Sequence, residues 1–142
     1  MTFDTLGQLN WLAVLVGAAM YFGLGALWYS RPLFARPWMR SIGWDESRQQ
    51  PQASPITYIA PALLYVVAAI ATAWLAAATG SDTIGEGVLL GLVVGIGYAL
   101  VINAVDASFD PNKPQPWLWF AITGSYHLIG LIIVAVLVSI WR

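Results

Sequence analysis

Leu128-Ile129-Gly130-Leu131-Ile132-Ile133-Val134-Ala135-Val136-Leu137-Val138 runs without one polar side chain. A membrane strand with lipid on one face and a lumen on the other must alternate apolar and polar residues. This run does not alternate, and neither does Leu12 to Val16. The remaining way to satisfy every backbone N–H and C=O in hydrocarbon is a helix, and about 20 apolar residues of helix cross a bilayer. Extended to its polar limits, the run predicts a span from Trp117 to Trp141. Three further stretches meet the same test: Trp11 to Tyr29, Tyr58 to Thr79 and Gly87 to Val105. None of the four holds Asp, Glu, Lys or Arg in its interior.

Composition agrees. Of 142 residues, 59% are hydrophobic and 9% charged, whereas a soluble domain needs about a quarter charged to cover its surface. The expected fold is an all-α membrane protein: one domain over 1–142, a four-transmembrane-helix bundle with a short interfacial helix in the first loop. Six basic against seven acidic residues give a net charge of -1, which excludes a general basic face for nucleic acid. The absence of cysteine removes disulfides, thiolate metal sites and Cys nucleophiles. A single histidine excludes any two-His motif within one chain.

The segment before Trp11 carries Asp4 and no Lys or Arg, unlike the basic start of a cleavable signal, so the first span is expected to be retained. Basic residues near span ends mark the cytoplasmic side. Arg31, Arg36, Arg40 and Arg48 in the first loop and Lys113 in the third stand against Arg142 alone. That places both loops in the cytoplasm and both termini outside. Tryptophans prefer the headgroup level, and Trp11, Trp28, Trp74, Trp117, Trp119 and Trp141 all fall near span ends.

The second loop, Gly80 to Glu86, reads as a tight turn that makes spans two and three antiparallel neighbours. The third, Asp106 to Pro116, is rich in Pro, Asp and Asn and reads as irregular. In the first, between Pro32 and Gly43, Phe34, Trp38 and Ile42 recur every four residues with Arg36 and Arg40 adjacent. This pattern predicts a helix lying in the membrane interface, with Arg31, Arg36 and Arg40 able to reach phosphates. The alternative is a loop folded against the bundle. The polar Asp45 to Pro55 stretch that follows reads as mobile.

Several of these elements resemble a known family. Leu9 to Val16, Gly25-Ala26-Leu27-Trp28-Tyr29-Ser30, Leu33-Phe34 with Trp38, and Tyr126-His127-Leu128 with the closing Trp141 are similar to the bacterial domain of unknown function (DUF) family 1761. The resemblance implies a small four-helix bacterial membrane protein. It implies no established activity, so no residue takes a role from it.

At 1.5 Å per residue, Tyr21, Tyr98, Tyr126 and His127 fall near the middle of their spans and Tyr65 close to it. Every span thus brings a phenol or imidazole to one level. Midplane polar groups usually face the bundle or a cavity, and the expectation is a layer in which the His127 ring points inward, bonded to a Tyr hydroxyl or a carbonyl. A structural histidine, a small-molecule or proton site, and a haem ligand all fit this pattern. The opposite face of span four, Leu128, Leu131, Ile132 and Ala135, is apolar and is expected to meet lipid.

In span three Gly87, Gly91, Gly95, Ala99 and Asn103 recur every four residues. A small-residue ridge lets another helix approach closely, with Ala13 and Gly17 of span one, or Ala69, Ala73 and Ala77 of span two, as partners, or a second chain. Asn103 and Asp106 are placed to meet Arg31 or Arg36. Val16-Gly17 to Tyr21 loosely matches Val94-Gly95 to Tyr98, as in a parallel repeat of two hairpins.

No nucleophile–base arrangement, metal set or nucleotide loop is present, and an enzyme is not expected. The leading expectation is an accessory or assembly subunit of a membrane complex, partnered by lipid and by a second copy or a larger assembly. The alternatives are a homodimeric transporter or channel using the Tyr/His layer, and haem or pigment binding through His127. No cofactor is specified by the sequence.

Overall fold

The computed structural model describes residues 3–44 and 54–141. Arg48, Arg142 and most of the stretch read as mobile lie outside them. After a 3-10 turn at Phe3–Gln8 come α1 (Trp11–Trp28), α2 (Ala35–Ser41), α3 (Ile56–Thr79), α4 (Ile84–Val94), a π-helical segment (Gly95–Leu100), α5 (Val101–Phe109) and α6 (Pro116–Ile140). The stretch Ile84–Phe109 is continuous, so among the described residues four helices are long and apolar enough to cross a membrane.

The helix ends follow local chemistry. Asn10 caps α1 by accepting from the backbone N–H groups of Leu12 and Ala13. Thr83 and Glu86 form a reciprocal capping box at the start of α4. Span three therefore starts three residues before Gly87 and runs past Val105 to Phe109. Pro116 opens α6 at its first turn, where a missing N–H costs nothing. Gly80 ends α3 at φ +71, a left-handed conformation that favours glycine.

The fourth transmembrane helix, α6, is the hub. It packs against α1, α3, α2 and the whole of span three, while α3 and α4 make only slight contact. Spans two and three are joined by a short turn, but they are not packed neighbours. This corrects the expectation from loop length. The central cluster joins Val14, Ala18 and Tyr21 of α1 to Ala69, Ala73 and Ala76 of α3 and to Tyr126, Leu131, Val134 and Val138 of α6.

The glycine ridge also finds α6, rather than spans one or two. A Cβ at Gly87 would lie 2.7 Å from Cα of Val136, at Gly91 2.5 Å from Cα of Ile132, and at Gly95 2.5 Å from Cδ1 of Leu128. Glycines at intervals of four thus ride down the stripe 136, 132, 128, which recedes by four on an antiparallel helix. Leu131 and Ala135 are buried as well. The face expected to meet lipid is the one that packs span three. In a membrane, core and lipid-facing surfaces are both apolar, so hydropathy does not separate them.

At the first-loop side, α2 folds back on the bundle. The Phe34 ring lies 4.7 Å from that of Trp28 and the Trp38 ring 5.3 Å from that of Tyr29. The loops meet there: the Gln115 N–H donates to the Ser41 carbonyl, and Gly43, at φ +70, faces the Pro114 ring. Arg31, Arg36 and Arg40 are exposed. Neither Asn103 nor Asp106 bonds them: Asn103 donates to the Ala99 carbonyl of its own helix, and Asp106 pairs with Lys113.

Candidate functional site

Four of the five expected midplane groups converge. Tyr21 of α1 is 2% exposed and its hydroxyl is 2.7 Å from Nδ1 of His127. The ring of Tyr21 stacks on Tyr65 of α3 at 4.2 Å. Tyr126, also 2% exposed, donates its hydroxyl proton to the Tyr21 carbonyl at 3.1 Å. Its ring lies edge-on to Tyr65 and Tyr29. Three helices are thus tied at one level by ring contacts, and the hydroxyls of Tyr21 and Tyr126 are hydrogen-bonded, which is how polar groups persist away from water. The donor between Tyr21 and His127 depends on the imidazole tautomer. Nε2 has no hydrogen-bond partner among the described residues.

Room for the cluster comes from glycine. A Cβ on Gly130 would overlap the Tyr21 ring, and one on Gly25 would sit 3.0 Å from the Tyr126 hydroxyl.

Tyr98 does not join. It is 65% exposed on the outer flank of span three. Gly17 and Tyr21 are four residues apart and share a face of an α-helix, whereas Gly95 and Tyr98 are three apart, about 60° off that face. The π segment from Gly95 to Leu100 advances less per residue and turns Tyr98 further away. The two hairpins therefore place their tyrosines in opposite environments, and the loose repeat match does not extend to this site.

The sequence pointed to the layer but not to the space beside it. Below the Tyr65–Tyr126 contact, toward the first loop, lies a cavity of about 690 Å³. One wall is α1, with Phe22, Gly25, Ala26 and Tyr29; the facing wall is α3, with Thr57, Tyr58, Pro61 and Tyr65. Ala35, Trp38 and Met39 of α2 form its roof, with Trp44 beside them, and Tyr126 closes its deep end. Tyr29 packs on both Trp38 and Tyr126 and reaches Thr123 Oγ1 with its hydroxyl at 3.5 Å. The signal available in the sequence was Gly25-Ala26 facing a helix that begins with Thr57, Tyr58 and Pro61: small residues opposite aromatic ones leave space.

The third loop is held separately. Lys113 bonds Asp106 and Asp110, and its ammonium lies 4.2 Å from the centre of the Trp119 ring. The hydrogen bond from Lys113, with a second from the Asn112 N–H, holds the Asp110 carboxyl below the usual carboxylate range. For Lys113 the downward push of burial is outweighed by its bonds to Asp110 and Asp106, and its ammonium is held above the usual lysine range.

Among the described residues no group of three or more His, Cys, Asp or Glu side chains is placed to hold a metal ion. His127 is the one residue here with a ring nitrogen for a haem iron, and its Nδ1 is engaged by Tyr21. A family model described as a protein of unknown function (DUF1761) matches residues 12–139. No curated protein and no solved structure matches the chain.

Proposed function

The chain belongs to the DUF1761 family, and we propose that it is a multi-pass protein of the bacterial cytoplasmic membrane that binds a small lipid-soluble molecule without altering it covalently. Both termini lie outside in this reading, because the first and third loops carry Arg31, Arg36, Arg40 and Lys113. The observation that carries binding is the cavity between α1, α2, α3 and α6, which ends on the tyrosine cluster. Its volume is within the range of small-molecule sites, and such sites recur between the helices of bundles. The cluster at its end is tied by hydrogen bonds and ring stacking before any ligand arrives, which lowers the ordering cost of binding.

The test compares the wild-type chain with Ala26→Leu, both purified from native membranes and weighed by native mass spectrometry. Ala26 lines the cavity, is exposed, and its side chain makes no hydrogen bond. The wild type should carry a small-molecule adduct that Ala26→Leu lacks. Identical spectra from two equally folded proteins would overturn the reading.

A second reading, an accessory subunit of a larger assembly, is favoured by one observation. Tyr98, 65% exposed, turns its phenol outward mid-span on a helix of which few residues are buried. A hydroxyl in hydrocarbon without a partner is costly, and a neighbouring helix would relieve it. Cross-linking from Tyr98→Cys in native membranes should capture a partner chain; labelling by lipid-soluble probes alone would remove this reading.

A further inference from the structure

We infer that the cavity takes a neutral, flat, lipid-soluble ring bearing carbonyl acceptors, the chemistry of a quinone headgroup; this rests on the binding reading above. The first ground is shape. Seven of the thirteen described lining residues are aromatic, and aromatic walls pack best against another ring, offset or edge-on. Tyr29 and Trp38 already meet edge-on, at 63°.

The second ground is a surplus of donors. The Tyr126 hydroxyl is committed to the Tyr21 carbonyl, but the Tyr29 hydroxyl reaches Thr123 only at 3.5 Å. The indole N–H of Trp38 has no partner among the described residues. No carboxylate or imidazole is among the described residues that line the cavity, so a ligand that accepts hydrogen bonds completes the site.

Charge decides between ligand classes. An aromatic pocket can also hold a lipophilic cation, but no acidic side chain among the described lining residues supplies a counter-ion. Arg31, Arg36 and Arg40, on the segment that forms the roof, are exposed and unpaired with any described carboxylate. Their potential opposes a cation. A fatty acid would need its carboxylate paired inside, and no Lys or Arg is among the described residues that line the cavity. Access is lateral, since Ala26 and Tyr58 are exposed on the two facing spans.

The experiment places the full chain in lipid nanodiscs and follows tryptophan fluorescence during titration with a decyl-substituted benzoquinone, with oleate and with tetraphenylphosphonium. The quinone should quench saturably, and its affinity should fall at least tenfold in Ala26→Leu and severalfold in Trp38→Phe, which keeps the ring and removes the N–H. The other two probes should neither saturate nor displace it. Saturable binding of oleate or tetraphenylphosphonium that Ala26→Leu abolishes, without quinone binding, would overturn the ligand class and leave the site standing. Responses to all three probes that neither variant changes would overturn both.

Discussion

α6 meets its neighbours in two different ways on its two flanks. Toward α1 glycine faces an aromatic ring in both directions, Gly130 under Tyr21 and Gly25 against Tyr126. Toward span three α6 supplies backbone and receives glycines, Val136 against Gly87 and Ile132 against Gly91. The first contact is a knob in a hole whose bulk can carry hydroxyls, stacking and a cavity edge. The second is two backbones brought as close as the absence of side chains allows, and it carries no polar chemistry. The same residue type therefore serves a site on one flank and a plain seam on the other.

The seam is the easier to break. Gly91→Ala places a Cβ against the Ile132 backbone, which has no rotamer to escape through, and should cost about 3 kcal/mol, the upper part of the usual overpacking range. Gly95→Ala meets the end of a Leu128 side chain instead and should cost about 1 kcal/mol. Denaturant midpoints in detergent read both; equal losses would mean that span three does not sit on α6 in this register.

On the other flank, Gly130→Ala should cost about 2 kcal/mol by displacing the Tyr21 ring. The loss should shrink in a Tyr21→Ala background, because the two residues share one space and their effects are not additive. Strict additivity in the double variant would place the ring elsewhere.

Hydrogen bonding within the cluster is a smaller effect. Tyr21→Phe should lose about 1 kcal/mol, as for other interhelical bonds in membranes. Tyr98→Phe should lose nothing in the isolated chain, because its hydroxyl has no partner among the described residues. Matching losses would contradict the inward and outward assignment.

The third loop gives the smallest effect, and its sign follows from the ion pairs. Asp110 is held below its ordinary range by Lys113 and the Asn112 N–H, so its contribution is present above the ordinary carboxylate value and is lost as pH falls through the lower folded value. Lys113 is held above its ordinary range, so its contribution is present below the ordinary lysine value and is lost as pH rises through the higher folded one. Asp110→Asn should therefore lower the melting temperature slightly between about pH 4 and 10 and leave it unchanged under strong acid. A difference that persists in strong acid would remove the ion pair as its cause.

The spans were legible because charge is absent from them and present between them. Their ends were less so: Glu86 and Asp106 look like loop residues, yet both belong to helix, one as a cap and one beside Lys113. Depth was legible as well, since it follows from residue count, and it brought Tyr21, Tyr65, Tyr126 and His127 to one level. Azimuth was not. An apolar stripe such as Leu128, Leu131, Ile132 and Ala135 reads alike whether lipid or a helix covers it. The glycine ridge announced a close approach without saying to which helix, and the π turn that swings Tyr98 outward left only a Gly95-Ile96-Gly97 trace.

The claim that α6 separates a binding flank from a packing flank is tested most directly by measuring quinone affinity in nanodiscs for Tyr29→Phe beside Tyr98→Phe. Each variant removes one hydroxyl, the first from the cavity wall and the second from the outer flank. The account predicts that Tyr29→Phe weakens binding about tenfold, the loss of about 1.4 kcal/mol, while Tyr98→Phe binds as the wild type does. Equal affinity in the two variants, or weakening confined to Tyr98→Phe, would contradict it.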